Sequence, residues 1–381
     1  MENMNTINNE DKDIIKRAYE YRKNGYSLKD ASLGYLVGGF LSPVIAILVI
    51  LVVISFISAV SGIDYDTLLE TRPFDIIILL GAEIGFIAYF LYTLFFSKRK
   101  NRFKSRLGFS FKKFDWLICV VVIILAIAMS VLTSQFISVI NHALASIGYV
   151  RESSLPFAID SVGNMLLGLV VMALVPAICE EFLFRGVVLG GMLSVAKTNK
   201  AKIICVVLSA LLFALVHQSA LQLFYPFIMG LVFGFIYLYT NNLLYGMILH
   251  FVGNGFVVVA NYYNYIKGIT AVEVTYNLSY VLGALALLII ALALAFSAIL
   301  LIKYIMKNKS PFLVEEKKID EVEVEEINNS LDENQVAQYS QNKNVEKFVK
   351  EKDNKTGKII MLVGLLFGVF MLVVDLLTSM V

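Results

Sequence analysis

The chain has 381 residues, 58% of them hydrophobic and only 16% charged, with a net charge of +2. A soluble domain of this size would be far more polar, so the composition excludes one and points to several segments long enough to cross a bilayer. The charges are segregated into loops and tails, so the small net value says little, and no nucleic-acid partner is expected.

Residues 1–33 are polar and charged and read as a cytoplasmic amino-terminal arm. The apolar run that follows is too long for the hydrophobic region of a cleavable signal, so none is expected. Apolar stretches lie near 34–60, 74–96, 115–139, 161–179, 203–217, 222–240, 243–262, 276–302 and 359–380. Lipid offers the backbone no hydrogen-bond partners, so these should be helices. The expected fold is all-α, a polytopic transmembrane helical bundle of about eight to nine spans. In chain order it divides into amino-terminal spans over 34–150, a core over 155–265, an additional span over 275–306 and a carboxy-terminal span over 358–381. Between the last two, residues 310–357 are rich in Glu, Lys, Asn and Gln, which predicts a solvated, disordered linker.

Lysine and arginine set the orientation. The arm carries Lys12, Lys16, Arg17, Arg22, Lys23 and Lys29, and the loop after the second span carries Lys98, Arg99, Lys100, Arg102, Lys104, Arg106, Lys112 and Lys113. Both are expected inside, and the loop with Asp64, Asp66 and Glu70 outside. Later clusters at Lys197–Lys202 and Lys303–Lys309 fall inside by parity. The expected location is the cell membrane, multi-pass, with the amino terminus cytoplasmic. Cys119, Cys179 and Cys205 lie in or beside apolar runs and read as packing residues. Gly34/Gly38, Gly230/Gly234 and Gly364/Gly368 fit the small-residue pattern for close helix packing.

Ionisable groups inside apolar runs are the informative ones, since a charge at a helix centre costs about 2.5–3.5 kcal/mol on insertion scales. Glu180 and Glu181 are followed by Arg185, and the spacing lets Glu181 pair with Arg185 on one helical face. Glu180 is then left without an obvious local partner. Phe213 precedes His217 by four residues, and His250 precedes Asn254 by four. Each group alone has a bland explanation: a helix end in water, a hydrogen-bonded core histidine, a polar pair joining two helices. His142 reads as interfacial, and Glu83 either fits a transporter slightly better or faces the bundle interior with a polar partner. With the helix of Glu180 continuing to about residue 196, Glu180 lies about 24 Å from its cytoplasmic end and His217 about 22 Å above Lys202. His250 and Asn254 come out roughly 12–18 Å from their turn. One cavity could hold all of them. A helix over 161–196 exceeds the bilayer, so tilt or a kink at Pro176 is expected.

Peptide hydrolysis suits this set. Glu180 and His217 could deprotonate a water, and His250 and Asn254 could hydrogen-bond the oxyanion. A metal is the rival reading, but the HExxH pattern is absent and Arg185 opposes a cation. No metal or cofactor is expected.

Glu-Glu-x-x-x-Arg, Phe-x-x-x-His and His-x-x-x-Asn, in that order within apolar helices over about 155–265, resemble the CPBP family, which includes the type II CAAX prenyl endopeptidases and bacterial Abi proteins. The resemblance implies an intramembrane glutamic protease working without a metal. It implies Glu180 as base, His217 as its assistant, His250 and Asn254 as the oxyanion site, and Glu181, Arg185 and Phe213 as supporting residues. The implied partners are the lipid bilayer and a membrane-associated peptide or protein substrate, lipidated in some members. The alternatives are a non-catalytic immunity or scaffold protein of the same fold, or a transporter.

Overall fold

The computed structural model describes residues 9–69, 72–95, 108–111, 114–149, 155–269, 274–306, 310–314, 318–320 and 333–380. Apart from loops and an isolated bridge between Tyr149 and Met380, the described elements are helical. They are α1 (Asn9–Asn24), α2 (Leu28–Ser61), α3 (Tyr65–Leu69), α4 (Arg72–Phe95), α5 (Trp116–Ser146), α6 (Val162–Leu193), α7 (Asn199–Leu215), α8 (Phe224–Thr240), α9 (Leu243–Lys267), α10 (Leu278–Met306) and α11 (Glu333–Thr378). The loop lysines and arginines at 98–106, Lys112, Lys113, Lys307, Lys309 and Glu70 lie outside the described residues.

Among the described residues, six helices are long and apolar enough to cross a bilayer: α2, α5, α6, α9, α10 and the Asp353–Thr378 part of α11. The expectation of eight to nine spans is not met by this measure. Helix α4 has 24 residues and carries Glu83 within an otherwise apolar stretch. Helices α7 and α8 have 17 residues each, about 26 Å of rise, short of the roughly 30 Å hydrocarbon core. Between them the chain turns inside the protein, with Ser219 and Ala220 buried. Irregular backbone at such depth is tolerated where protein satisfies it. The carboxylate of Asp375 in α11 accepts the Ala220 N–H at 3.0 Å and the Tyr149 hydroxyl at 2.7 Å.

The bundle leaves apolar faces outward. Phe56 and Val60 on α2, Ile289 and Phe296 on α10, and Leu366 and Phe370 on α11 are exposed, the arrangement that lipid solvates. All three glycine pairs lie in tight crossings. A methyl on Gly230 would press on Ala210, one on Gly234 on Val206, and one on Gly364 or Gly368 on the ring of Tyr35. Gly34 and Gly38 meet Val187 and Leu183 of α6 in the same way.

Residues 310–357 depart from the expected disordered linker wherever they are described. Ser310 caps a short turn over Pro311–Leu313 and donates from Oγ to the Leu238 carbonyl at 2.6 Å. The Phe312 ring stands edge-on to Tyr21 of α1 at 4.7 Å and leans on Tyr237 at 5.4 Å. From Glu333 the chain is a continuous helix through Thr378. Ser32 donates to the Gly357 carbonyl at 2.6 Å, and Lys29 meets Asp353 at 3.4 Å. One buried aromatic and a capping serine suffice to seat a stretch whose average composition reads as solvated. The arm is likewise not free: Ile14, Ile15, Ala18, Tyr19 and Tyr21 of α1 are buried.

Truncating Asp375 to Ala strands two buried donors. The expected loss is roughly 1–3 kcal/mol per donor, read as a lowered thermal midpoint in detergent, with Tyr149→Phe costing less than Asp375→Ala.

Candidate active site

Helix α6 is the spine of the site. It is not a uniform α-helix: Leu169–Leu174 and Phe182–Leu189 are π-helical, and Val175–Glu181 between them is α-helical. Wider π turns are frequent at functional sites. Here they bracket the glutamates, and the expected irregularity at Pro176 takes the form of a change in hydrogen-bond register. Pro176 has no N–H to offer the carbonyl of Met172 four residues back. Asn254 of α9 donates to that carbonyl from Nδ2 at 3.1 Å. The proline in one helix thereby fixes the amide of another.

Glu180, Glu181, Arg185 and His250 are all buried, at 7%, 0%, 1% and 6% exposure, so none can be neutralised by bulk water. Arg185 Nη1 donates to Glu181 Oε1 at 2.8 Å, the helical pair expected from the spacing. Its guanidinium lies between two rings, 4.4 Å from Phe213 and 4.6 Å from Phe233. Such contacts contribute up to about 2 kcal/mol each when desolvated. Glu181 Oε2 packs on Gly246 of α9, where a Cβ would collide with it.

His250 joins both glutamates. Its Nδ1 is 3.3 Å from Glu181 Oε1 and its Nε2 3.7 Å from Glu180 Oε2. Glu181 Oε1 can only accept, so Nδ1 carries a proton and any second proton sits on Nε2, facing Glu180. The ring stacks on Phe233 at 5.2 Å and 23° and stands edge-on to Phe213 at 6.2 Å. Glu180 Oε2 has no hydrogen-bond partner among the described residues. The partner that the helical spacing leaves obscure is therefore His250, from α9.

His217 lies just past the end of α7, in the turn that follows, rather than in the helix. Its Nδ1 sits 2.9 Å from the carbonyl of Phe213, which must accept. A neutral ring then presents Nε2 as an acceptor. Gln218 takes a positive φ of 50° and ends the helix there. No hydrogen bond or ion pair links His217 to Glu180 among the described residues. Its neighbours in the site are Phe213, ring to ring at 5.2 Å, and the charges of His250 and Arg185. Asn254 lies one turn from His250 on α9, half-buried. His142 is exposed near the end of α5 and stacks on Tyr276 at 3.8 Å, outside the cluster.

Sequence reasoning missed Phe233, which floors both His250 and Arg185. It also missed Gly246, Met172 and the Asp375 brace behind His217. Phe233 carries no signal in so aromatic a chain. Gly246 and the proline-to-carbonyl spacing of Pro176 and Met172 were readable as close approach and a free acceptor, although their partners were not.

Two comparisons bear on this site. Residues 162–256 match the family described as type II CAAX prenyl endopeptidase Rce1-like. The membrane-embedded CAAX protease MroQ of Staphylococcus aureus (strain USA300) is 34% identical over 90 residues, 23% of this chain and 36% of that protein. The match thus spans about a third of the relative's length. No solved structure matches. The segment that carries Glu180, Glu181, Arg185, His217, His250 and Asn254 is thus similar to the type II CAAX prenyl endopeptidase Rce1-like family.

Proposed function

We propose that this chain is an intramembrane endopeptidase that hydrolyses a peptide bond in a membrane-associated protein or peptide, using water activated by Glu180 and His217 and no metal. The observation that carries the reading is the buried carboxyl of Glu180, whose Oε2 makes no hydrogen bond among the described residues and lies 3.7 Å from His250 Nε2, in a segment similar to CAAX proteases. Glu180 takes the proton of the water as a general base. His217 keeps Nε2 free to share that proton and to return it to the leaving amine. His250 and the second N–H of Asn254 donate to the developing oxyanion. Glu181 orients the His250 ring, and Arg185 holds Glu181. The amino terminus lies in the cytoplasm and the chain in the cell membrane, a reading supported by the loop charges. Substrates with a lipidated carboxy-terminal end suit a site enclosed by apolar helices.

A non-catalytic scaffold or immunity role is favoured by one feature: Glu181, Arg185, His250 and Phe233 alone form a network sufficient to join three helices. The two readings separate by experiment. Wild type and Glu180→Gln are purified in detergent and assayed against prenylated and leader-type peptides with a chelator present. Cleavage by wild type that survives the chelator and falls at least about a hundredfold in Glu180→Gln is the expected result. Loss to the chelator with recovery on adding a metal would overturn the metal-free mechanism. Absence of cleavage by folded wild type across the panel favours the scaffold.

The supporting pair should behave differently from the base. Arg185→Leu leaves a buried carboxylate alone and should cost roughly 3–5 kcal/mol, seen as a large fall in thermal midpoint. Replacing both partners, Glu181→Gln with Arg185→Met, should recover much of that stability without recovering activity. Glu180→Gln should melt close to wild type.

A further inference from the structure

Glu83 is the buried ionisable group that the mechanism above leaves unused. It is 4% exposed, and its Oε2 has no hydrogen-bond partner among the described residues. The helix crossings put it beside Glu180. Gly81 and Gly85 of α4 press on Ile50 and Pro43 of α2, so α4 runs antiparallel to α2. Gly34 and Gly38 of α2 press on Val187 and Leu183 of α6, so α6 also runs antiparallel to α2. Helices α4 and α6 are therefore parallel. Their register is marked by the Phe86 and Phe184 rings, 6.4 Å apart. Glu83 lies one turn before Phe86, and Glu180 one turn before Phe184 on the same helical face. The two carboxyls consequently occupy one level of adjoining helices, with the Cys179 thiol next to Glu180 in the chain.

We propose that Glu83 and Glu180 form a carboxyl dyad that holds one proton between them, with Glu83 the positioning residue that keeps a hydrogen-bond donor beside the ionised base. Three carboxyls, Glu83, Glu180 and Glu181, face one permanent cation, Arg185, and one imidazole, His250; His217 lies within reach of the latter two, and the Cys179 thiol adds no cation. Even with His250 protonated, three ionised carboxylates would leave a net negative charge in the apolar interior. Carboxylates sharing such a site do not both ionise; one retains its proton and donates to the other. Glu181 already has the Arg185 guanidinium as its partner at 2.8 Å, so the retained proton falls to the Glu83–Glu180 pair. This deepens the proteolytic reading, because it states what stabilises the base before substrate arrives.

The test is a pH titration by difference infrared spectroscopy on the full chain in detergent, comparing wild type, Glu83→Gln and Glu180→Gln. A shared proton gives wild type two separated carboxyl steps belonging to the pair. Either variant should leave one step, displaced by about one pH unit or more from both. A remaining step that coincides with a wild-type step overturns the dyad. This readout needs no substrate, so it stands even if the protease reading fails. Where cleavage is measurable, Glu83→Leu separates positioning from packing. Leucine keeps the apolar packing and removes the carboxyl, so kcat should fall about tenfold or more with little change in KM. Glu83→Gln should retain more activity, since its amide N–H can donate in place of the carboxyl. Full activity in Glu83→Leu overturns the proposal. Should Glu83→Leu fail to fold, the titration of Glu83→Gln decides alone.

Discussion

A guanidinium in the middle of an apolar bundle has few ways to exist, and the way found by Arg185 organises much that surrounds it. It needs a counter-charge within its own helix turn, which Glu181 provides at 2.8 Å, and it needs polarisable walls, which Phe213 and Phe233 provide. Those demands draw α7 and α8 onto α6. The same two rings then confine His250, whose position between the glutamates follows from Phe233 beneath it and Glu181 beside it. Breaking one member of such a cluster exposes the others to an unpaired buried charge. The site is rigid because its parts have no alternative partners at that depth.

The backbone of α6 contributes as much as its side chains. An ordinary α-helix keeps its carbonyls for itself. Here π-helical turns and a proline loosen that accounting, and the freed acceptors are taken up by neighbours: Met172 by Asn254, and Phe184 by Ser209 at 3.4 Å. Each such bond spans two helices and ties the position of a side chain on one to a backbone irregularity on the other. The two glutamates lie in the short regular stretch between irregular ones, where their relative direction is best defined.

Much of this was readable from residue types and spacing. The all-helical architecture follows from hydropathy, and the Glu181–Arg185 pair from a separation of four on a helix. The three motifs do converge, which their estimated depths anticipated. What spacing could not supply is which helix faces which. Glu180 finds its neighbour in α9, 70 positions along the chain, and His217 is held by the carbonyl of its own helix rather than by the glutamate. The count of eight to nine spans is not confirmed where helices are short and their ends turn within protein, as at 216–223. In the polar stretch after 310, composition averages over a few anchoring residues such as Ser310 and Phe312. Glu83 was visible as an anomaly, yet only the parallel alignment of α4 and α6 gives that anomaly a neighbour.

The brace behind His217 has a consequence for how the molecule comes into being. The Ala220 N–H receives its acceptor from Asp375, 155 positions later in the chain, and the ring of Tyr35 receives Gly364 and Gly368 from the same late helix. During synthesis the Rce1-like segment enters the bilayer long before that helix exists. The histidine turn therefore waits, with a buried donor unsatisfied, until α11 inserts and closes the bundle. In a bundle assembled in this order, the site residues are all present before the helix that supplies the last of these hydrogen bonds.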